Sequence, residues 1–441
     1  MHQIGLLWFN NDFRIGDNAT LLRASEEVDQ LICLALIPSE TTAPDKFKPA
    51  SLSTPRRKFL NQSLEDLDRN LNALGQHLVV SQHSIEDSFS KLIAQYNITH
   101  VFCSQINGSY ETNQWQSLTK HYPMINFHQV ANNRLFESSQ LPFATAELPN
   151  SFSKFRRQVE DIQVINAGPS PKKLPASPIP KPSRQSIKSH FKTSNQDLFK
   201  GGESSARQHV TDYFQRGLAS TYKETRNGLD GMDYSTKFSP WLANGCLSPR
   251  QVLTELRRYE QQVERNESTY WIYFELLWRE YFKCYADKYG HRIFAFSGIN
   301  GRRPATSFYP QRFQKWCQGN TPYPIVNACM KQLNSNGYMS NRGRQLVASC
   351  FVHELDLDWR YGASYMEQQL IDYDMASNWG NWQYLAGVGA DPRGHRRFDL
   401  DKQTQIYDPK GQFIKRWQGD RGDPVLDTND IVDWPIANAE T

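Results

Sequence analysis

From residue 1 to about residue 130, short apolar runs alternate with amphipathic stretches, the pattern of a parallel sheet whose strands are joined by helices. The runs Ile4–Phe9, Leu31–Ile37, His77–Ser81, His100–Ser104 and Ile125–Gln129 are read as the strands. A helix is predicted to open at Ser53-Thr54-Pro55-Arg56, a cap followed by proline in the first turn, and to close at Gly75. Another is predicted from Ile85 to Tyr96. The run Gly168-Pro-Ser-Pro-Lys-Lys-Leu-Pro-Ala-Ser-Pro-Ile-Pro-Lys-Pro182 is too rich in proline for helix or sheet and should run extended over the surface. From Ser204 onward apolar residues recur every three or four positions, most clearly over Trp271 to Phe282. The polar, turn-rich tail from Asp401 to Asp433 predicts a weakly structured C-terminus. The expected architecture is a Rossmann-like α/β parallel-sheet domain over 1–135, a connector over 136–203, and an all-α domain over 204–441.

At 441 residues, with 39% hydrophobic and 22% charged positions, the chain can bury a large core and reads as an ordinary soluble protein. Its net charge of +4 neither demands a nucleic-acid partner nor excludes a local basic groove. No apolar run reaches the ~18 residues needed to span a bilayer. There is no basic region followed by an apolar one at the N-terminus, so no secretion signal and no membrane association are expected. Seven scattered cysteines without a Cys-x-x-Cys pair suit a reduced, cytoplasmic setting and no zinc site. A monomer is expected.

Candidate chemistry is densest over Asp372-Tyr-Asp374-Met-Ala-Ser-Asn378-Trp-Gly-Asn-Trp382-Gln-Tyr384, just downstream of Tyr338-Met-Ser-Asn341-Arg342-Gly-Arg344-Gln345. Helical spacing predicts Asp372 on a turn neighbouring Asn378 and Trp382, within reach of the Arg344 guanidinium. An Arg–carboxylate fork beside a flat, polar, conjugated ligand would use Asp374 as an acceptor and Asn378 as donor or acceptor. A polar helix terminus with core tryptophans fits the same residues. Tyr234-Ser235-Thr236-Lys237-Phe238-Ser239-Pro240 sets hydroxyls and amides just before a helix, which suits a phosphate or a plain cap. The first strand is followed by Asn10-Asn11-Asp12, not by a Gly-x-Gly-x-x-Gly turn, so a dinucleotide held in the Rossmann manner is not expected.

From Leu6-Leu-Trp8-Phe-Asn-Asn-Asp12-Phe-Arg14 to Ile414-Lys-Arg-Trp417 the chain resembles the photolyase/cryptochrome family, nearest to its DASH cryptochromes; Glu275-Leu-Leu-Trp278-Arg279-Glu280 is a specific match. The resemblance implies FAD in a U-shape among Tyr222, Ser235, Thr236, Lys237, Phe238, Ser239, Arg279, Asn341, Arg344, Asp372, Asp374 and Asn378. It implies that Glu275 touches a damaged pyrimidine and Trp278 stacks on it. Trp382, Trp359 and Trp316 match an electron relay from the flavin to the surface. A folate antenna, 5,10-methenyltetrahydrofolate, is implied at the domain boundary near Tyr110-Glu111-Thr112-Asn113-Gln114; the family's acidic contact is not cleanly matched there, and Trp8-Phe-Asn-Asn departs from the usual Trp-Phe-Arg-Asn.

The implied reaction is blue-light-driven splitting of cyclobutane pyrimidine dimers with no net redox change. Tyr384 stands where double-strand photolyases place a second pocket tryptophan, and Gln345 where they place methionine. A smaller, more polar pocket recovers less stacking energy toward base flipping, so single-stranded DNA is the expected substrate. Arg226, Arg342 and Lys237 are the candidates near strand phosphates. The alternative is a blue-light photoreceptor that binds DNA or RNA and signals without repair. The His pair needed for six-four photoproducts is not found.

Overall fold

The computed structural model describes residues 2–37, 51–105, 109–181, 198–390 and 397–427. In chain order the elements are β1 (Ile4–Phe9), α1 (Ala19–Glu27), β2 (Gln30–Leu36), α2 (Thr54–Ala73), β3 (Leu78–Ser81), α3 (Ile85–Tyr96), β4 (His100–Ser104), α4 (Ser109–His121), β5 (Asn126–Val130), α5 (Phe152–Val159), α6 (Glu203–Gln215), α7 (Tyr222–Thr225), α8 (Ser239–Ala243), α9 (Pro249–Gln262), α10 (Glu267–Tyr289), α11 (Pro310–Gln318), α12 (Pro324–Asn336), α13 (Asn341–His353), α14 (Trp359–Gln369), α15 (Met375–Leu385), α16 (Leu400–Tyr407) and α17 (Gln412–Arg416). The five strands form one parallel sheet in the order β3-β2-β1-β4-β5. An α/β sheet domain followed by a helical domain is therefore the observed architecture, with the ends of β2, β3 and β5 shifted by one residue from the apolar runs.

Both sheet faces are covered, which is why the inner strands read as continuous apolar runs. Leu6, Trp8, Ile32 and Leu34 pack with Ile85 and Phe89 of α3 and Trp115 of α4. Leu7, Phe9, Cys33 and Phe102 face α1 and α2, and that core runs on into the helical domain. Ser53 caps α2 by accepting from Arg56 N at 3.3 Å, and Gly75 ends it at φ +79°. Ser53 also donates through Oγ to Gln369 O at 3.1 Å, docking the start of α2 on the end of α14. There the opposite poles of two helix dipoles meet.

Residues 162–181 run without helix or strand across the amino end of the sheet. Leu31 N donates to Ala176 O at 3.1 Å, and Gln76 Nε2 bridges Leu31 O and Pro175 O at 2.8 Å each. Leu174 is buried in the core. Residues 182–197, within the connector expected over 136–203, lie outside the described residues.

The tail departs from expectation. Residues 400–427 are built into the fold, because Phe413 inserts into the core and buried Asp408 accepts from Phe413 N and Ile414 N at 3.0 and 2.9 Å. Asn327 of α12 donates to Gly419 O at 3.1 Å, and Arg312 holds Asp427 through two nitrogens at 2.9 and 2.6 Å. A polar composition hid these anchors, since each partner lies about a hundred residues upstream.

The carboxyl ends of β1, β4 and β5 meet the helical domain through a buried polar network. Arg14, fully buried, donates to Gly16 O (3.0 Å), Asp17 O (2.7 Å), Asn132 Oδ1 (2.8 Å), Asn133 Oδ1 and, across the boundary, Gly245 O (2.9 Å). Asp12 accepts from Asn10 N at 2.8 Å and Ser104 Oγ at 2.6 Å. This network occupies the place where a Gly-rich dinucleotide turn would sit.

Candidate functional site

α8, α10, α13 and α15 wall a cavity of about 660 Å³, within the usual range for small-molecule sites. Every site residue read from the sequence lines it except Arg342, Trp359 and Trp316. The long apolar helix α10 supplies Glu275, Trp278 and Arg279 from one stripe, together with Trp271, Phe274 and Phe282, which sequence reasoning passed over. Their three-to-four-residue spacing was the signal available.

At one side the chain enters α8 through a strained turn. Ser235 and Lys237 are non-glycine residues at φ +67° and +57°. Such a left-handed step turns backbone N–H groups toward one concave spot, a geometry that binds anions. Thr236 O accepts from His209 Nε2 at 2.8 Å, and the His209 ring packs on Trp241. Lys237 is 4% exposed, lies over the Tyr338 ring at 5.1 Å and makes no ion pair among the described residues. Burial pulls its ammonium down to about 8. An anion in the cavity would satisfy it.

In the centre stand two cation–carboxylate pairs. Arg344 Nη2 reaches both oxygens of Asp372 at 2.9 and 2.7 Å, and Ser239 Oγ donates to the same carboxylate at 2.6 Å. The pairing is the expected one, but a single nitrogen makes it; Arg344 Nε is committed to Met339 O at 2.9 Å. Asp372 precedes α15 and is not on it. Asp374 caps α15, accepting from Ser377 N at 2.9 Å, and pairs with Lys283 Nζ at 2.6 Å. Burial pushes the Asp374 carboxyl up, but the Lys283 ammonium and the Arg279 guanidinium outweigh it and hold it below the usual carboxylate range. Lys283 was missed; its place one turn beyond Arg279 on α10 was the signal. Asn378 donates through Nδ2 to Ala363 O at 3.0 Å, which leaves its side-chain oxygen for a ligand. Tyr222, Phe238 and Asn341 close the lining, and Arg279 donates to Asn133 O at 2.8 Å.

At the mouth Arg226 pairs with Glu275 and lies over the Trp271 ring at 4.3 Å. Burial pushes the Glu275 carboxyl up, and Arg226 pulls it partly back. Trp278 lines the cavity and is backed by an aromatic ring that does not. It stacks on Phe152 of α5 at 3.8 Å and 12°, with Tyr384 edge-on at 6.4 Å; Gln345 lines the same wall. Arg342 points elsewhere: its guanidinium lies over Tyr407 of α16 at 4.7 Å and donates to Asn227 Oδ1 at 3.2 Å.

Of the three relay tryptophans, neither Trp316 nor Trp359 reaches the surface itself. Trp382 lines the cavity with Trp316 beside it at 6.2 Å, whereas Trp359 pairs with Trp379 at 5.7 Å. Trp316 and Trp359 are both 0% exposed. Each indole N–H is spent on a backbone carbonyl, Val347 O and Phe296 O, both at 3.0 Å. These are interior positions, fixed by packing that periodicity alone does not reveal. Of the proposed antenna contacts, Thr112, Asn113 and Gln114 lie on α4, while the side chains of Tyr110 and Glu111 are outside the described residues.

A family model described as DNA photolyase matches residues 5–180, and one described as FAD binding domain of DNA photolyase matches residues 271–420. Cryptochrome DASH of Idiomarina loihiensis is 51% identical over 442 residues, covering 99% of this chain and 97% of that protein. Cryptochrome DASH of Vibrio parahaemolyticus is 52% identical over 439 residues, covering 99% and 98%. The crystal structure of a Synechocystis cryptochrome superposes with a TM-score of 0.87 at 36% identity, covering 95% of this chain and 89% of that one.

Proposed function

Because this chain belongs to the photolyase/cryptochrome family, alongside the DASH cryptochromes, we propose that it uses FAD and blue light to repair cyclobutane pyrimidine dimers, preferentially in single-stranded DNA. Bound FAD, in its fully reduced form, would supply a light-driven electron that returns once the cyclobutane ring has split, so the reaction would have no net redox change. The residues present fit that cofactor. Lys237 and the strained Ser235–Lys237 turn offer an anion-binding corner for its phosphates, while Arg344–Asp372, Asp374 and Asn378 offer polar partners for a flat ring. Glu275 and Arg226 face the mouth, where a flipped pyrimidine would enter.

The observation that carries the single-strand preference is the lining beside Trp278. One indole, with Tyr384 and Gln345 in place of further bulk, must hold the flipped bases. A tyrosine and an amide offer flipped bases less stacking surface than a second tryptophan and a methionine would, so the pocket recovers less of the ~1–3 kcal/mol available per stacked base. Extracting a dimer from duplex costs a few kcal/mol more than taking it from a single strand. At limiting substrate, each ~1.4 kcal/mol of that difference is tenfold in repair.

The test is anaerobic blue-light repair of a dimer in oligothymidine and of the same lesion in duplex at matched salt. Repair of the single strand at least about tenfold above duplex is expected; equal repair would overturn the preference. Tyr384 in place of a second pocket tryptophan also favours the second reading, a photoreceptor that binds nucleic acid without repairing it. Repair of neither substrate, with flavin photoreduction that Trp382→Phe slows, would overturn the repair reading and favour the photoreceptor. A 5,10-methenyltetrahydrofolate antenna is supported by family resemblance, and near-ultraviolet absorbance beyond that of FAD reads its presence.

Lys237 gives the holoprotein a pH signature. A bound phosphate favours its charged form, so the protonated lysine is the one that binds. With the ligand-free ammonium titrating at about 8, FAD affinity should be level below that pH and weaken above it, approaching tenfold per pH unit. Equilibrium dialysis across that range checks it, and Lys237→Met should be weaker and flat. A level wild-type profile would remove Lys237 from the phosphate site.

A further inference from the structure

We propose that Lys283 is a positioning residue of the flavin pocket: by pairing with Asp374 it keeps that carboxylate ionised and fixed, so that Asp374 meets bound FAD as a permanent acceptor. The proposal rests on FAD occupying the cavity and is independent of whether DNA is repaired.

Lys283 does not line the cavity, whereas Asp374 does. The two meet at 2.6 Å with only 15% and 10% of their side chains exposed. Asp374 spends Oδ2 on Lys283 and Oδ1 on Ser377 N, so both its orientation and its charge are set from behind. The pair also ties α10, which carries Glu275, Trp278 and Arg279, to the first turn of α15, which carries Asn378, Trp382 and Tyr384. Burial would neutralise either member alone; paired, each keeps the other charged.

The other charged groups around Asp374 are already engaged. On α10, Arg279 donates to the Asn133 and Leu242 carbonyls, and Glu280 accepts from Leu135 N and lies by Arg134. From α13, Arg344 is held by Asp372. Between the two aspartates, Tyr373 accepts from Trp379 Nε1 and lies under Arg56 of α2. Arg279 is the second cation felt by Asp374, and Lys283 is the one in contact. Without Lys283, only Arg279 and the Ser377 N–H oppose burial, so the carboxyl titrates at a higher pH and, once protonated, donates where it had accepted.

The experiment follows the midpoint potential of the bound flavin against pH in the holoprotein and in Lys283→Met, Lys283→Arg, Asp374→Asn and the Lys283→Met/Asp374→Asn double variant. Lys283→Met should add a one-proton inflection at roughly pH 6–8, where a buried carboxyl without its cation titrates. Wild type and Lys283→Arg should lack it. In the Asp374→Asn background, Lys283→Met should add no inflection and no further shift. A Lys283→Met profile that superposes on wild type would overturn the proposal, as would an equal shift in both backgrounds. Should Lys283→Met purify without flavin, the double variant decides. Flavin retained as in Asp374→Asn traces the loss to an unpaired buried carboxylate; flavin lost there too makes Lys283 a packing residue and ends the proposal. No arm reads repair, so failure here and failure of the repair reading are separate outcomes.

Discussion

Arg344→Met is expected to purify without FAD and to lose about 3–5 kcal/mol of stability, the usual cost of removing one partner from a buried ion pair. The reason is what it leaves behind. Asp372 has 1% of its side chain exposed, and Ser239 Oγ is its other close donor. Without the guanidinium, the cavity wall carries an uncompensated carboxylate where an electron-rich ring should sit. The methionine also gives up the donation to Met339 O, which holds the start of α13 against the loop before it. Arg344→Lys should lose less, because a single nitrogen spans both Asp372 oxygens and an ammonium can take that place. The visible flavin absorbance of purified protein and the urea midpoint measure the two effects. Wild-type flavin content in Arg344→Met would show that the pair does not hold the cofactor.

Arg14→Met should cost at least as much, again about 3–5 kcal/mol or more, while lying outside the cavity. Arg14 fills the junction of the two domains with five donated hydrogen bonds, four of them to the loops at the carboxyl ends of β1 and β5 and one to Gly245 O of the helical domain. Methionine replaces its aliphatic stem but leaves those buried acceptors bare. The backbone cannot relax to help, since Gly245 sits at φ +66° with Asn11 O where a side chain would be. Nearby, Phe13 N donates to Asn244 O at 3.3 Å and Ser248 Oγ to Asp17 across the same boundary, so a shift there reaches Leu242 and Ala243 in the cavity wall. Urea unfolding followed by tryptophan fluorescence reads the loss, and a change below about 1 kcal/mol would mean that water replaces the guanidinium.

The amino-acid sequence carried most of the elements, and its resemblance to a known family carried most of the polar lining of the cavity. Strands buried on both faces must be apolar throughout, so Ile4–Phe9 and His100–Ser104 stood out with their ends intact. Ser53 with Pro55, and the three-to-four spacing along α10, are signals a chain carries within a single helix. Arg344 with Asp372 was readable because both flank one short stretch of chain. Tertiary structure decided which side chain of one element meets which of another. Lys283 finds Asp374, Trp382 finds Trp316 while Trp359 turns to Trp379, Phe152 backs Trp278, and the polar tail is anchored by Asn327 and Arg312. Periodicity reports which face of a helix is buried and is silent on its partner; that is set by crossing angles and distances between segments far apart in the chain.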